Sequence, residues 1–513
     1  MSVLQGLRRA CQINPNGVAT IDGGRRRSWR EFRDRVARFA GVLRGAGVQP
    51  GDRVAILSLN GDAYLDYFYA APWAGALVVP LNTRLAPPEL VAIINDAGAV
   101  ALVVDETFAA MLPALTPHLT TVRAVLVSGA AAPPAGAVSL DAAIAAAAPI
   151  DSADPAAPDL FGIFYTGGTT AASKGVMLSH GNIVANAENM KAEAPFETGT
   201  IYLHAAPMFH LADCSATFTL TDAGGTHAFV PRFDPVAVMR LIQELGVTNS
   251  ILVPAMIGML VNHPAIGDYD LTSLRGLMYG GQCISEAILR RAIECLPHCG
   301  FLQAYGMTEL APVATFLPPR YHTTEGPYAG RLRAAGRAAQ TAEIRIVDDE
   351  DREVPRGTVG QIIVRGPMVM QGYWNQPALT ASALKGGWMH TGDGGYMDQD
   401  GFVFVVDRSK DMIITGGENV YSAEVENAIY QHPAVAMCAV IGVPDEQWGE
   451  RVHAVVSLKP GQTTTEPDII AHCRKLIAGY KCPRTVSLRQ EPLPMSGAGK
   501  VLKTVLRKEL QVS

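Results

Sequence analysis

The sequence predicts an α/β protein: a large N-terminal domain of wound α/β subdomains with a small β subdomain, then a small α+β C-terminal domain. Three observations carry this. At 513 residues the chain is too long for one hydrophobic core. Apolar strand patterns and amphipathic helix patterns alternate through its first part, as in wound sheets. The charged run Asp407-Arg-Ser-Lys-Asp411 falls between two apolar strands and marks a boundary, giving domains of residues 1–409 and 410–513.

In chain order, Trp29–Gly45 has helical spacing, with Phe32, Val36, Phe39 and Leu43 on one face. Ser28 with Glu31 three residues later fits a capping box at its start. After the turn Gln49–Asp52 come strand Val54–Leu57, helix Tyr64–Trp73, strand Ala76–Pro80, a helix from Pro87 and strand Ala101–Val104. Residues 129–159 are Ala/Pro-rich and read as a surface connector. A second α/β pattern runs from Leu160 to about Tyr305. The short strands Ala342–Val347 and Gly360–Arg365 form the β subdomain. Helix 422–431, strands 434–442 and 452–458, helix 466–479 and a basic tail make up the last part.

Composition narrows the function. Apolar residues are 48% and charged residues 18%, as in a globular enzyme. A net charge of −6 argues against a nucleic-acid partner, whose backbone wants a basic surface. The eight cysteines contain no CxxC. Cys295, His298 and Cys299 lie close together, but no second Cys/His cluster completes a metal site. Scattered thiols suit a reducing, cytoplasmic setting. The opening MSVLQGLRRACQINP has no apolar signal region, and the apolar stretch Tyr67–Leu81 is too short for an integral membrane segment.

The most informative stretch is Tyr165-Thr-Gly-Gly-Thr-Thr-Ala-Ala-Ser-Lys-Gly175. Gly167 and Gly168 let the backbone approach an anion, and exposed N–H groups of such a turn form an anion nest. Thr166, Thr169 and Thr170 add hydroxyl donors, and Lys174 adds a positive charge. That is a polyphosphate cradle without Walker A spacing. Further on, Tyr305-Gly-Met-Thr-Glu309 offers a ring that can stack on a base and a carboxylate suited to Mg²⁺. Asp393, in Thr391-Gly-Asp393, has the chemistry to hold ribose hydroxyls, and Arg408 follows. Lys500 ends the Gly/Ser loop Pro494-Met-Ser-Gly-Ala-Gly-Lys500.

In order and spacing these segments resemble the adenylate-forming superfamily of acyl-CoA synthetases, peptide-synthetase adenylation domains and luciferases, from about residue 15 to 510. The stretch Asp445–Glu450, with Trp448, looks like the acyl-CoA synthetase branch. The resemblance implies ATP, Mg²⁺ and coenzyme A as cofactors and a small-molecule carboxylate as substrate. It assigns Thr166, Gly167, Gly168, Thr169, Thr170 and Lys174 to the phosphate loop, and Tyr305, with Gly306, to the adenine. Thr308 falls to the α-phosphate, Glu309 to Mg²⁺, Asp393 and Arg408 to the ribose, Lys410 to a hinge and Lys500 to catalysis. It also implies a mobile C-terminal domain whose Gly416-Gly417-Glu418-Asn419 loop lines a pantetheine tunnel. Arg84 would meet CoA phosphates. The acyl pocket would lie among Phe209, His210, Leu211, Met278, Gly280, Gly281, Gln282, Ala304, Met307, Leu310 and Ala311, with His210 at the acyl-adenylate.

The sequence departs from the family pattern where Gly167 replaces a serine, Ala171 a glycine and Ser173 a proline, which predicts weaker ATP binding or slower adenylation. Ala304 stands where a glycine commonly precedes the tyrosine. An apolar lining with no aspartate for an α-amino group points to short- to medium-chain fatty acids, with aryl or branched acids second and carrier-protein loading as a further alternative. Acetylation of Lys500 by a lysine acetyltransferase would remove the charge that adenylation needs. The sequence is compatible with a homodimer.

Overall fold

The computed structural model describes the chain except residues 130–131, 167–172, 195, 283, 409–411, 416–417, 446, 498–499 and 512–513, and the side chains of residues 407, 408 and 511. Among the described residues there are four sheets, of eight, nine, four and five strands.

The helix Trp29–Gly45 forms as its pattern predicts. Ser28 Oγ accepts from Glu31 N and Glu31 Oε2 accepts from Ser28 N, so the capping box satisfies two donors at its first turn. Its apolar face buries Trp29, Phe32, Val36, Phe39 and Leu43 completely. The eight-stranded sheet has Arg53–Leu57, Leu77–Pro80 and Ala99–Asp105 running parallel at its centre. Strand Leu160–Thr166 joins Leu77–Pro80 in parallel, and Lys174–Ser179 then returns antiparallel to it. In the nine-stranded sheet, Ile201–His204, Thr226–Phe229, Asn249–Leu252, Gly276–Gly280 and Gly300–Gly306 are all parallel. Loops leaving the carboxyl ends of parallel strands are where such sheets bind ligands. Phe209–His210, Gly281–Gln282 and Met307–Glu309 all follow such ends.

The β subdomain is the antiparallel set Glu343–Val347, Gly360–Arg365, Met389–Met397 and Val403–Arg408. Beyond it, the five-stranded sheet carries its own apolar clusters, drawn from residues 413–488 and 437–510.

Three expectations need correction. The Ala/Pro-rich run is more than a connector: Leu140–Ala146 is a helix that buries Leu140 and Ile144, and its Asp141 pairs with Arg35 at 2.6 Å. The basic tail holds a strand, Thr485–Arg489, parallel to Gly449–Leu458, and a helix, Lys503–Gln511. The helix read over 466–479 ends at Arg474.

Candidate active site

Thr166 ends one strand and Lys174 begins the next, and the two are cross-strand partners. The described residues on either side of the segment expected to hold phosphate are therefore paired in an antiparallel ladder. Thr166 Oγ1 sits 3.5 Å from the Lys174 carbonyl. The ladder is buttressed from behind, where Tyr165 OH donates to Asp96 Oδ2 at 2.5 Å and Trp374 Nε1 donates to the Asp96 carbonyl at 2.9 Å. Gly167, Gly168, Thr169, Thr170 and Ala171 lie outside the described residues, as do Lys410, Gly416 and Gly417.

Glu309 is 6% exposed and sits in the single 3₁₀ turn Thr308–Leu310. Gly306, just before it, packs so tightly that an added Cβ would lie 1.9 Å from the Pro312 carbonyl. Tyr373 OH donates to Glu309 Oε1 at 2.8 Å, and Lys174 Nζ lies 5.5 Å from the centre of the same ring. Burial, with the Glu309 charge adding to it, pushes the Tyr373 phenol up and keeps it a donor. Tyr373 thus joins Lys174 to Glu309, the residues expected at the phosphates and the metal. Sequence reasoning missed it; its signal was two aromatics in Gly372-Tyr-Trp-Asn375, between residues of positive φ.

A single carboxylate completed by substrate phosphates is the usual Mg²⁺ donor set. Glu309 fits it, since Tyr373 occupies one oxygen and fixes the carboxylate plane. Among the described residues no cluster of three His, Cys, Asp or Glu could hold a metal by itself.

Tyr305 OH donates to Asp393 Oδ2 at 2.9 Å, so the residues expected at adenine and ribose touch. Asp393 is 8% exposed, its N–H is held by Thr391 Oγ1, and its cross-strand partner is Arg408. Thr308 and Met307 are half-buried beside them.

Lys500 comes from the far C-terminal part yet reaches this centre. Its Cε lies 3.6 Å from where a Cβ on Gly281 would stand, and Gly281 has φ +80°. A side chain there would be strained by that φ and would touch the lysine stem at ordinary van der Waals distance. His210 caps helix Leu211–Ala223, its Nδ1 accepting from Ala212 N at 3.2 Å. Burial, with the Lys500 charge adding to it, pushes the His210 imidazole down to about 3. It stays neutral beside the ammonium.

The predicted acyl-pocket residues divide between two apolar clusters. Leu211, Leu310 and Ala311 are buried in one, with Phe209 and Met307 packed against it. Ala304 and Met278 belong to another, with Tyr202 and Phe316. Gly280 faces Ala304 across the ladder so closely that a Cβ would fall 2.2 Å from its carbonyl. Gln282 is half-buried just beyond Gly281.

Arg84 donates from Nη1 to the Ser496 carbonyl at 2.9 Å, in the loop that carries Lys500. It also lines a cavity of about 380 Å³ with Phe209, Arg232, Met256 and Met495. Glu418 and Trp448 lie in or beside the C-terminal sheet, away from the phosphate strands in the topology. The Arg484 guanidinium stacks 4.2 Å from the Trp448 ring.

The chain is similar to known proteins along nearly its whole length. The model of AMP-binding enzymes matches residues 7–374, and that of the AMP-binding enzyme C-terminal domain matches residues 424–500. A feruloyl-CoA synthase from Amycolatopsis is 40% identical over 98% of this chain and 97% of its own length. The fatty acid–acyl-carrier-protein ligase ScoC of Streptomyces coeruleorubidus is 35% identical over 97% of this chain and 94% of its own. The crystal structure of the anthranilate CoA ligase AuaEII with anthranoyl-AMP superposes with a TM-score of 0.92 at 25% identity, covering 99% of this chain and 97% of that one.

Proposed function

The chain belongs to the AMP-binding enzyme family, in its acyl-CoA synthetase branch, and from that premise we propose that it activates an apolar monocarboxylic acid in two steps. The carboxylate attacks the α-phosphate of ATP, giving acyl-AMP and pyrophosphate. The thiol of CoA then attacks the acyl carbon and AMP leaves, giving acyl-CoA.

The observation that carries this reading is Lys500 lying beside Gly281 and neutral His210, at the carboxyl ends of the parallel strands. A carboxylate and a polyphosphate repel one another, so adenylation is limited by bringing two anions together. An ammonium fixed between them lowers that barrier by several kcal/mol. Lys174 and the phosphate loop would hold the leaving pyrophosphate, and the linked Tyr305–Asp393 pair would hold the nucleoside. Glu309 would hold Mg²⁺, which supplies charge neutralisation on the phosphates. Neutral His210 can meet the acyl group without adding a second cation. Between the half-reactions, the segment at Lys410 would act as the hinge on which the C-terminal domain turns.

For the acid, the apolar lining suits an alkyl or an aryl body. The 40% identity to a feruloyl-CoA synthase favours an aryl acid first and a short- to medium-chain fatty acid second. Likeness to ScoC keeps carrier-protein loading as a second reading. Pyrophosphate release with a panel of aryl, arylalkanoic and C4–C12 acids decides the acid, and acyl-CoA formation decides the acceptor. No release with any acid would refute the activity; release without CoA thioester would favour the carrier.

A further inference from the structure

Two contacts tie the lysine loop to the turn at Asn82–Leu85, which leaves the centre of the eight-stranded sheet. Arg84 Nη1 donates to the Ser496 carbonyl at 2.9 Å, a charge-assisted bond across 412 residues of sequence. Beside it, the Asn82 amide packs directly on Gly497: a Cβ added there would lie 2.3 Å from Oδ1 and 2.6 Å from Nδ2. A side chain at 497 would push the Asn82 amide out of its place against the loop.

The turn is itself braced. Asn82 Oδ1 accepts from Arg84 N at 3.0 Å, and Leu85 N donates to the Asn82 carbonyl at 3.2 Å. On the other side, Ser496 holds the backbone of Lys500 at both of its polar groups. Ser496 N donates to the Lys500 carbonyl at 2.6 Å, and Lys500 N donates to Ser496 Oγ at 3.0 Å. A β-bridge pairs Met495 with Val501 beside these bonds. Whatever fixes Ser496 therefore fixes the Lys500 backbone, from which the ammonium extends.

We infer that Arg84 is a positioning residue for adenylation, latching the Ser496–Gly497 turn onto Asn82 so that Lys500 is held at Gly281 and His210. This rests on the reading of Lys500 as the adenylating lysine. The latch joins the two parts of the chain only while the lysine loop is docked. Releasing it frees the Arg84 guanidinium into the 380 Å³ cavity that it shares with Arg232. The competing role for Arg84, holding CoA phosphates alone, leaves adenylation untouched.

The test uses full-length Arg84→Ala, Arg84→Lys and, from the other side of the contact, Gly497→Val. Three readouts are taken: ATP–pyrophosphate exchange, thioester formation from supplied acyl-AMP, and the rate at which acetic anhydride labels Lys500, normalised by mass spectrometry to the other lysines. Losing one charge-assisted anchor predicts that Arg84→Ala lowers the exchange kcat roughly tenfold. KM for ATP and acid should stay within about twofold, and Lys500 labelling should rise severalfold. Arg84→Lys restores part of both, because a point charge replaces a planar fork. Gly497→Val reproduces the alanine pattern. Wild-type exchange and wild-type labelling in Arg84→Ala overturn the latch, whatever happens to KM for CoA. If the wild type shows no exchange with any acid, the adenylation reading fails instead, and the labelling experiment, which needs no substrate, still decides the latch.

Discussion

Tyr305 and Asp393, 88 residues apart, share a hydrogen bond of 2.9 Å from the phenol to the buried carboxylate. The ring that would lie on adenine and the carboxylate that would take the ribose hydroxyls are one rigid unit. Strand Gly300–Gly306 delivers the first and the antiparallel strand Met389–Met397 delivers the second.

Tyr305→Phe keeps the stacking face and removes the bond. A hydrogen bond to a charged group contributes about 1.5–3 kcal/mol, so KM for ATP should rise by roughly ten- to a hundredfold. The exchange kcat should change less. Substrate titrations measure both, and an unchanged KM for ATP would separate Asp393 from the nucleoside.

Tyr373→Phe leaves the ring under Lys174 but releases Glu309. Partners of a metal ligand typically matter by 10–100-fold in metal affinity. The Mg²⁺ concentration that half-saturates exchange should rise by about that factor. Calorimetric titration of Mn²⁺ into the enzyme–ATP complex should weaken in parallel. A change in kcat alone, with metal affinity intact, would remove Tyr373 from the metal site.

His210 gives a pH prediction. Its folded value, about 3, lies below the ordinary 6.5. Between those limits the unfolded chain binds a proton that the folded chain refuses. Its contribution to stability is therefore complete above pH 6.5 and is lost as pH falls towards 3. His210→Asn keeps a good N-cap and removes that proton. Urea unfolding should then weaken less steeply between pH 6.5 and 4.5, by up to about 1.4 kcal/mol per pH unit. His180, His322 and His453 are pushed down by burial too, so the remaining slope keeps its sign. An identical slope in the variant would show that His210 titrates normally.

Much of the fold was legible because it is written locally. The capping box at Ser28–Glu31 and the apolar face from Phe32 to Leu43 gave the bounds of their helix. The Ala/Pro-rich run misled because only Leu140 and Ile144 mark its buried face, and alanine adds no contrast. In the site, the roles expected of Glu309, Asp393 and Lys500 came from the family resemblance, since a lone carboxylate or lysine in a turn is otherwise an ordinary solvated group. Tyr373 was missed, since paired aromatics in a turn are a weak signal and its contact with Glu309 spans 64 residues. The Arg84 contact with the Ser496 carbonyl was not legible either, because a lone cation in a sequence carries no sign of a protein partner 412 residues away.

The central claim is that the Lys500 ammonium, swung in from the C-terminal part of the chain, is what lets two anions react. Lys500→Ala, assayed in each half-reaction separately with the preferred acid, tests it most directly. The account predicts that ATP–pyrophosphate exchange falls by roughly two or more orders of magnitude, while CoA thioester formation from supplied acyl-AMP stays near the wild-type rate. Equal loss in both half-reactions, or exchange that survives the substitution, would contradict it.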